Sequence, residues 1–108
     1  MNHVILIGRL TENPELVSLG TDNVRSTITI AVKRTYKNQD GIYETDFIRC
    51  VLWKAIAKRA SEVYKKGDII CLHGRLQIRN YEDENKEKKF ITEVIAEQVS
   101  LVSSYKQT

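Results

Sequence analysis

The chain reads as an all-β domain with one short helix, and three observations carry that reading. Apolar and polar residues alternate with period two along five separate stretches, as half-buried strands require. A single segment, residues 55–66, repeats its apolar residues at helical spacing. The chain has 108 residues, 42% hydrophobic and 29% charged, which is the size and balance of one ordinary globular domain.

The elements follow in order. His3–Leu10 is the first strand, ended by Thr11-Glu12-Asn13-Pro14, because proline cannot donate to a sheet ladder. Val24–Tyr36 is the second, with Ile28, Ile30 and Val32 on one side and Thr27, Thr29, Ala31, Lys33 and Thr35 on the other. Lys37-Asn38-Gln39-Asp40-Gly41 is a turn, since Asp-Gly supplies the positive φ of a tight reversal. Thr45–Trp53 returns as the third strand. The helix places Ile56, Ala60, Val63 and Tyr64 on one stripe; Lys65 and Lys66 answer its C-terminal dipole, and Gly67 is a candidate left-handed cap. Ile69–Asn80 and Phe90–Val102 are the fourth and fifth strands, joined by the charged tip Glu82–Lys89. The expected order is therefore five strands, with the helix after the third.

Several function classes have no support in these residues. The longest apolar run is Val4-Ile5-Leu6-Ile7, too short for a membrane span or a signal-peptide core, so no membrane partner and a cytoplasmic location are expected. Cys50 and Cys71 lie in apolar strand-like runs without a CxxC spacing, and the expectation is reduced thiols. His3 and His73 are isolated, so no metal site is expected. Gly-rich phosphate loops are absent, no Ser-His-Asp set can be assembled, and no catalytic residue or cofactor is expected. Net charge is only +3, but it is unevenly spread: Arg25 to Lys37 holds four basic side chains and no acid. Such a zone suits a polyanion partner, and equally a solvated surface.

Parity within the strands sharpens the first option. In the third strand Ile48, Cys50 and Leu52 point one way, and Phe47, Arg49, Val51 and Trp53 the other. In the fourth, Ile70, Leu72, Leu76 and Ile78 form the apolar side, opposite His73, Arg75, Gln77, Arg79 and Tyr81. Two strands thus each carry a face mixing rings with arginines, which is what a flexible polyanion with stackable bases needs. Packing is the alternative: Phe47 and Trp53 could fill a barrel or a subunit interface, and Arg49 could pair with Asp46 or Glu44. Tyr64 belongs to the helix stripe and Phe90 to core or hairpin packing, whereas Tyr43 and Tyr105 stay unassigned.

The ordered set Asn2-His3-Val4-Ile5-Leu6-Ile7-Gly8-Arg9-Leu10, Asn13-Pro14-Glu15, Thr29-Ile30-Ala31-Val32, Asp46-Phe47-Ile48-Arg49-Cys50-Val51-Leu52-Trp53, Tyr64-Lys65-Lys66-Gly67-Asp68, Gly74–Tyr81 and Thr92-Glu93-Val94 closely resembles the bacterial and phage single-stranded DNA-binding proteins. The likeness runs from residue 2 to about 103. It implies an OB-fold, a five-stranded Greek-key barrel, over residues 1–103, with 104–108 as a short extension. It implies sequence-independent wrapping of single-stranded DNA in replication, recombination and repair, without enzymatic activity. Base stacking falls to Tyr36, Phe47, Trp53 and Tyr81, of which Tyr36 is added by resemblance only. Phosphate contacts fall to Lys33, Arg34, Arg49, Arg75 and Arg79, with Arg9 and Lys54 at the margin. A homotetramer is implied as well.

Typical members continue into a Gly/Pro/Gln-rich linker and an acidic tip that recruits replication and repair proteins. This chain ends at Ser103-Ser104-Tyr105-Lys106-Gln107-Thr108, so the expectation is a short form without tail-mediated partners, either a truncated protein or a paralogue from a phage or mobile element. Two other readings stay open: a family member turned protein-interaction module, and an RNA-binding OB domain, because stacking does not distinguish the two sugars.

Overall fold

In the computed structural model, residues 1–104 are described; Tyr105, Lys106, Gln107 and Thr108, the rest of the expected extension, lie outside the described residues. The chain runs β1 (Val4–Leu10), β2 (Val17–Ser18), β3 (Val24–Lys37), β4 (Tyr43–Trp53), α1 (Lys54–Val63), β5 (Ile69–Glu82) and β6 (Lys88–Ser103). The five expected strands are all present. The two-residue β2 is an addition, paired to the start of β3 through Val17–Arg25 and Ser18–Val24.

The sheet order is β1-β5-β6-β4-β3-β2, and β1 also pairs with β3. That second pairing, Arg9 with Ala31 and Leu10 with Ile30, closes β1, β5, β6, β4 and β3 into a five-stranded barrel, the OB-fold arrangement. β3 and β4 form one hairpin and β5 and β6 the other; β4 and β6 meet in parallel at Cys50–Val94 and Val51–Ile95. Leu10, Ile28, Ile30, Cys50, Leu52, Ile70, Leu72 and Val94 fill the interior. Burial pushes the Cys50 thiol up to about 12, so it stays protonated at neutral pH.

The helix packs over β3, β4 and β6. Its buried stripe is Ala57, Ala60 and then Tyr64, whose hydroxyl donates to the Val99 carbonyl at 3.3 Å. The expected stripe is corrected at one position: Val63 is exposed and Ala57 takes its place. The helix also ends at Val63, short of the expected Lys66, so Lys65, Lys66 and Gly67 do not cap it. They build a turn that locks to the end of β1. Gly67 (φ 93°) donates to the Leu10 carbonyl at 2.9 Å, and the Lys66 amide donates to Asn13 Oδ1 at 2.7 Å.

Both long hairpins overrun the barrel. Leu76 and Ile78 have core parity, yet they are 48% and 64% exposed, so their place on an inward apolar side is corrected; Phe90, expected in core or hairpin packing, is 68% exposed and is not core. The barrel interior ends near Leu72 and Val94, and beyond it even the inward parity meets solvent. The tips are nonetheless ordered by side-chain bonds. Asn38 Oδ1 accepts from the amides of Asp40 and Ile42 around Gly41 (φ 77°), and Asp83 Oδ1 accepts from those of Asn85 and Glu87.

At the register shift between His73 and Gly74, β5 crosses β6 very closely. A Cβ on Gly74 would stand 2.1 Å from the Ile95 carbonyl oxygen, so only glycine fits without moving backbone. Gly74→Ala is expected to cost ~3 kcal/mol or more, the upper end of overpacking penalties. Thermal unfolding followed by circular dichroism should show the midpoint falling by about 12 °C or more.

Candidate nucleic-acid interface

Register determines which outward side chains become neighbours, because partners across a ladder share a face. Arg9, Ala31 and Phe47 make one row across β1, β3 and β4. Thr29–Arg49, Thr27–Val51 and Arg25–Trp53 make the next three. Past β4, Val51 adjoins Ile95, and β6 carries the face on to β5 through Ile95–Arg75, Glu93–Gln77, Ile91–Arg79 and Lys89–Tyr81. Five strands thus present one continuous surface of rings and arginines. Its centre is a groove of about 230 Å³. Val51 does point outward as its parity requires, but it is only 4% exposed and forms part of the groove floor.

A buried carboxylate organises the arginines. Glu93 is 5% exposed; its Oε1 accepts from Arg79 Nε at 3.1 Å, and its Oε2 lies 3.5 Å from Arg49 Nε. Arg49 therefore pairs with neither Asp46 nor Glu44. Those acids bind Arg34 instead: Asp46 takes its Nε and Nη2 at 3.0 and 2.9 Å, and Glu44 takes Nη1 at 2.9 Å. The hydrogen bond from Arg34 holds the Asp46 carboxyl below its ordinary value, with partial desolvation opposing and the guanidinium charge assisting.

The structure brings most of the predicted site residues together. Phe47, at 68% exposure, stands fully out from β4. Trp53 is half-buried, with the Arg25 guanidinium 5.8 Å from its ring centroid. Tyr81 is exposed on the overhanging part of β5. Arg75 donates to Gln77 Oε1 at 2.8 Å on the same face, and Lys33 is exposed across from Thr45. Arg9 donates to the Gly67 carbonyl at 2.6 Å and borders a separate cleft of about 680 Å³ with Lys65 and Lys66. Lys54 follows Trp53 in a left-handed conformation (φ 50°), at the abrupt turn from β4 into the helix.

Two predicted residues stand apart. Arg34 has the opposite parity to Lys33 and is engaged by Asp46 and Glu44, so it does not join the arginine face. Tyr36 is exposed in the irregular stretch where the β3–β4 register shifts, between Lys33–Thr45 and Lys37–Tyr43. Sequence reasoning missed Arg25 and Glu93 and left Tyr43 unassigned. Arg25 and Glu93 join the face only through pairings that composition does not reveal. Tyr43, by contrast, has the parity of Phe47 and Trp53, and that signal was available. Among the described residues, no helix is long and apolar enough to cross a membrane, and no three His, Cys, Asp or Glu side chains gather as metal ligands.

A closed OB-type barrel with rings and arginines alternating on one outer face defines the class of nucleic-acid-binding barrels. Residues 1–102 match the model of the single-strand binding protein family, and the chain belongs to that family. It is 45% identical to Single-stranded DNA-binding protein 2 of Listeria innocua over 94% of this chain and 64% of the relative. It is 42% identical to Single-stranded DNA-binding protein 1 of Streptococcus pyogenes over the whole chain and 83% of that protein. Against Single-stranded DNA-binding protein A of Bacillus subtilis the identity is 44%, over 94% of this chain and 59% of the other. The chain thus spans less than two thirds of the length of the Listeria and Bacillus relatives.

The Arg34–Asp46 pair makes a pH-dependent contribution of known sign. A depressed carboxyl pKa means that the pair stabilises the hairpin above the ordinary value of 3.8 and that this is lost as pH falls through the lower folded value. Arg34→Gln should raise the Asp46 carboxyl pKa, since it removes the hydrogen bond and the charge that lower it and leaves desolvation, which raises it; the carboxyl carbon shift in an NMR titration reads this.

Proposed function

We propose that this chain binds single-stranded DNA without reading its sequence. The observation that carries the proposal is the single face on which Phe47, Trp53 and Tyr81 interleave with Arg49, Arg75 and Arg79. Cations follow the phosphates and release their counterions, while bases of any identity stack on the rings. Phe47 and Trp53 are six residues apart on one strand, ~20 Å, so the path covers several nucleotides. Lys33 extends that path toward one hairpin tip, and Arg9 and Lys54 border it. The names of the relatives agree with this binding. No chemical step belongs to the mechanism. Its setting is the replication, recombination and repair of DNA in the bacterial cytoplasm.

The active particle is a homotetramer. Ile5 and Ile7 point outward from β1, and both are more than half exposed, as is Ile78 on the overhanging hairpin. Apolar side chains in that number on one small domain favour burial against further copies. Sedimentation equilibrium is expected to return the mass of four 12.5 kDa chains. A monomer at micromolar concentration would remove wrapping from the mechanism.

The single tryptophan reports on the interface directly. Titration with oligo-dT should quench Trp53 fluorescence strongly, more weakly as salt rises, and duplex DNA should leave it unchanged. An equal response to oligo-U would keep the platform and withdraw DNA preference; no binding at all would favour the protein-interaction module. Trp53→Ala should weaken oligo-dT binding by ~1–3 kcal/mol. Arg49→Ala or Arg79→Ala should each lower the slope of log affinity against log salt by about 0.7 for every phosphate that is no longer neutralised.

A further inference from the structure

The β3–β4 hairpin sorts its charge by face. On one face Arg34 is tied to Asp46 and Glu44, and Asn38 Nδ2 donates to Glu44 at 3.0 Å, so both acids are occupied there. On the other face stands Tyr43, 44% exposed, with Lys33 Nζ 5.4 Å and Lys37 Nζ 5.6 Å from its ring centroid. Among the described residues neither lysine has a carboxylate within ion-pair distance. Two ammonium groups converging on one ring repel each other, and nothing on the hairpin neutralises them. An anion arriving at that ring would.

Position supports the same occupant. Tyr43 has the parity of Phe47 and Trp53 on β4, and it lies four positions from Phe47, ~13 Å along the strand. It therefore extends the row of rings outward beyond Phe47. Lys37 pairs directly with Tyr43, and Lys33 with Thr45 one step inward, so the cations flank the ring along the path. The turn beneath is held by the Asn38 side chain, which accepts from two amides and keeps the ring on an ordered scaffold. Tyr36, by comparison, lies in the register-shifted stretch with the parity of the acid-bound Arg34.

We infer that Tyr43, Lys33 and Lys37 form an additional nucleotide subsite, in which a base of single-stranded DNA stacks on the tyrosine ring and the adjoining phosphates meet the two lysines. The inference rests on the binding reading above and adds a position to it. Lys33 and Lys37 act as phosphate contacts, and the tyrosine hydroxyl has no required partner.

The test compares wild type, Tyr43→Ala and Tyr43→Phe on oligo-dT of increasing length, with Trp53 quenching as the common readout. Tyr43→Ala should lose about 5- to 160-fold in affinity for long oligonucleotides, the range for one stacked base, and little for the shortest that still bind. Tyr43→Phe should restore wild-type behaviour, because stacking needs only the ring. Lys33→Gln with Lys37→Gln should flatten the salt slope by up to about 1.4, the value for two single-strand phosphates. Photocrosslinking to an iodouracil-substituted oligonucleotide should mark Tyr43 in the wild-type protein. Wild-type quenching together with an unaltered Tyr43→Ala affinity at every length, and no crosslink at Tyr43, would overturn the subsite and leave the binding reading standing. Failure of wild type to bind oligo-dT would overturn both.

Discussion

Closure of the sheet through β1 is the constraint on which the rest of the molecule depends. Two residue pairs, Arg9–Ala31 and Leu10–Ile30, join the β1–β5–β6 side to the β3–β4 side. With that junction made, the inside of the barrel is a defined volume, filled by one parity of every strand. The seven residues of β1 span only part of the 14 to 16 residues of β3, β5 and β6. The surplus length has no barrel to bury it and projects as two arms. Tyr43, Tyr81, Ile78 and Phe90 are exposed because they sit on those arms, whatever their polarity.

The acids of the interface have an effect that net charge conceals. Glu93 is buried under Arg49 and Arg79 and costs desolvation, which two guanidinium groups offset. It holds both cations over the groove while they remain half exposed. Asp46 and Glu44 do the reverse for Arg34, drawing it to the opposite face of the hairpin. Three carboxylates therefore decide where these basic groups can act. Among the described residues, Lys33 and Lys37 keep no carboxylate of their own, because Asp46 and Glu44, the nearby acids of the partner strand β4, are engaged by Arg34 on the opposite face.

Much of the fold was legible in the sequence because alternation is a local property. The clean period-two runs in β3 and β4 placed Ile28, Ile30, Cys50 and Leu52 inside, where they are buried. The helix stripe was legible except for Val63, since the end of that helix is set by the turn at Lys65–Asp68, which bonds to β1 across the chain. Leu76 and Ile78 were misplaced for one reason: alternation says which way a side chain points and is silent on whether anything lies there to cover it.

For the candidate site, the sequence by itself determined the ingredients and their parity: Phe47, Arg49 and Trp53 on one face of a strand, Arg75, Arg79 and Tyr81 on one face of another. Each follows from the two-residue period of a strand, which needs no partner. Only the tertiary structure decided that these two faces are one surface, through Val51–Ile95 and Arg75–Ile95. It also decided that Arg34 leaves the group and that Arg25 and Glu93 enter it. Those outcomes depend on cross-strand register and on ion pairing between residues up to 44 positions apart, as for Arg49 and Glu93. No local pattern of residues encodes such pairings until the barrel has closed.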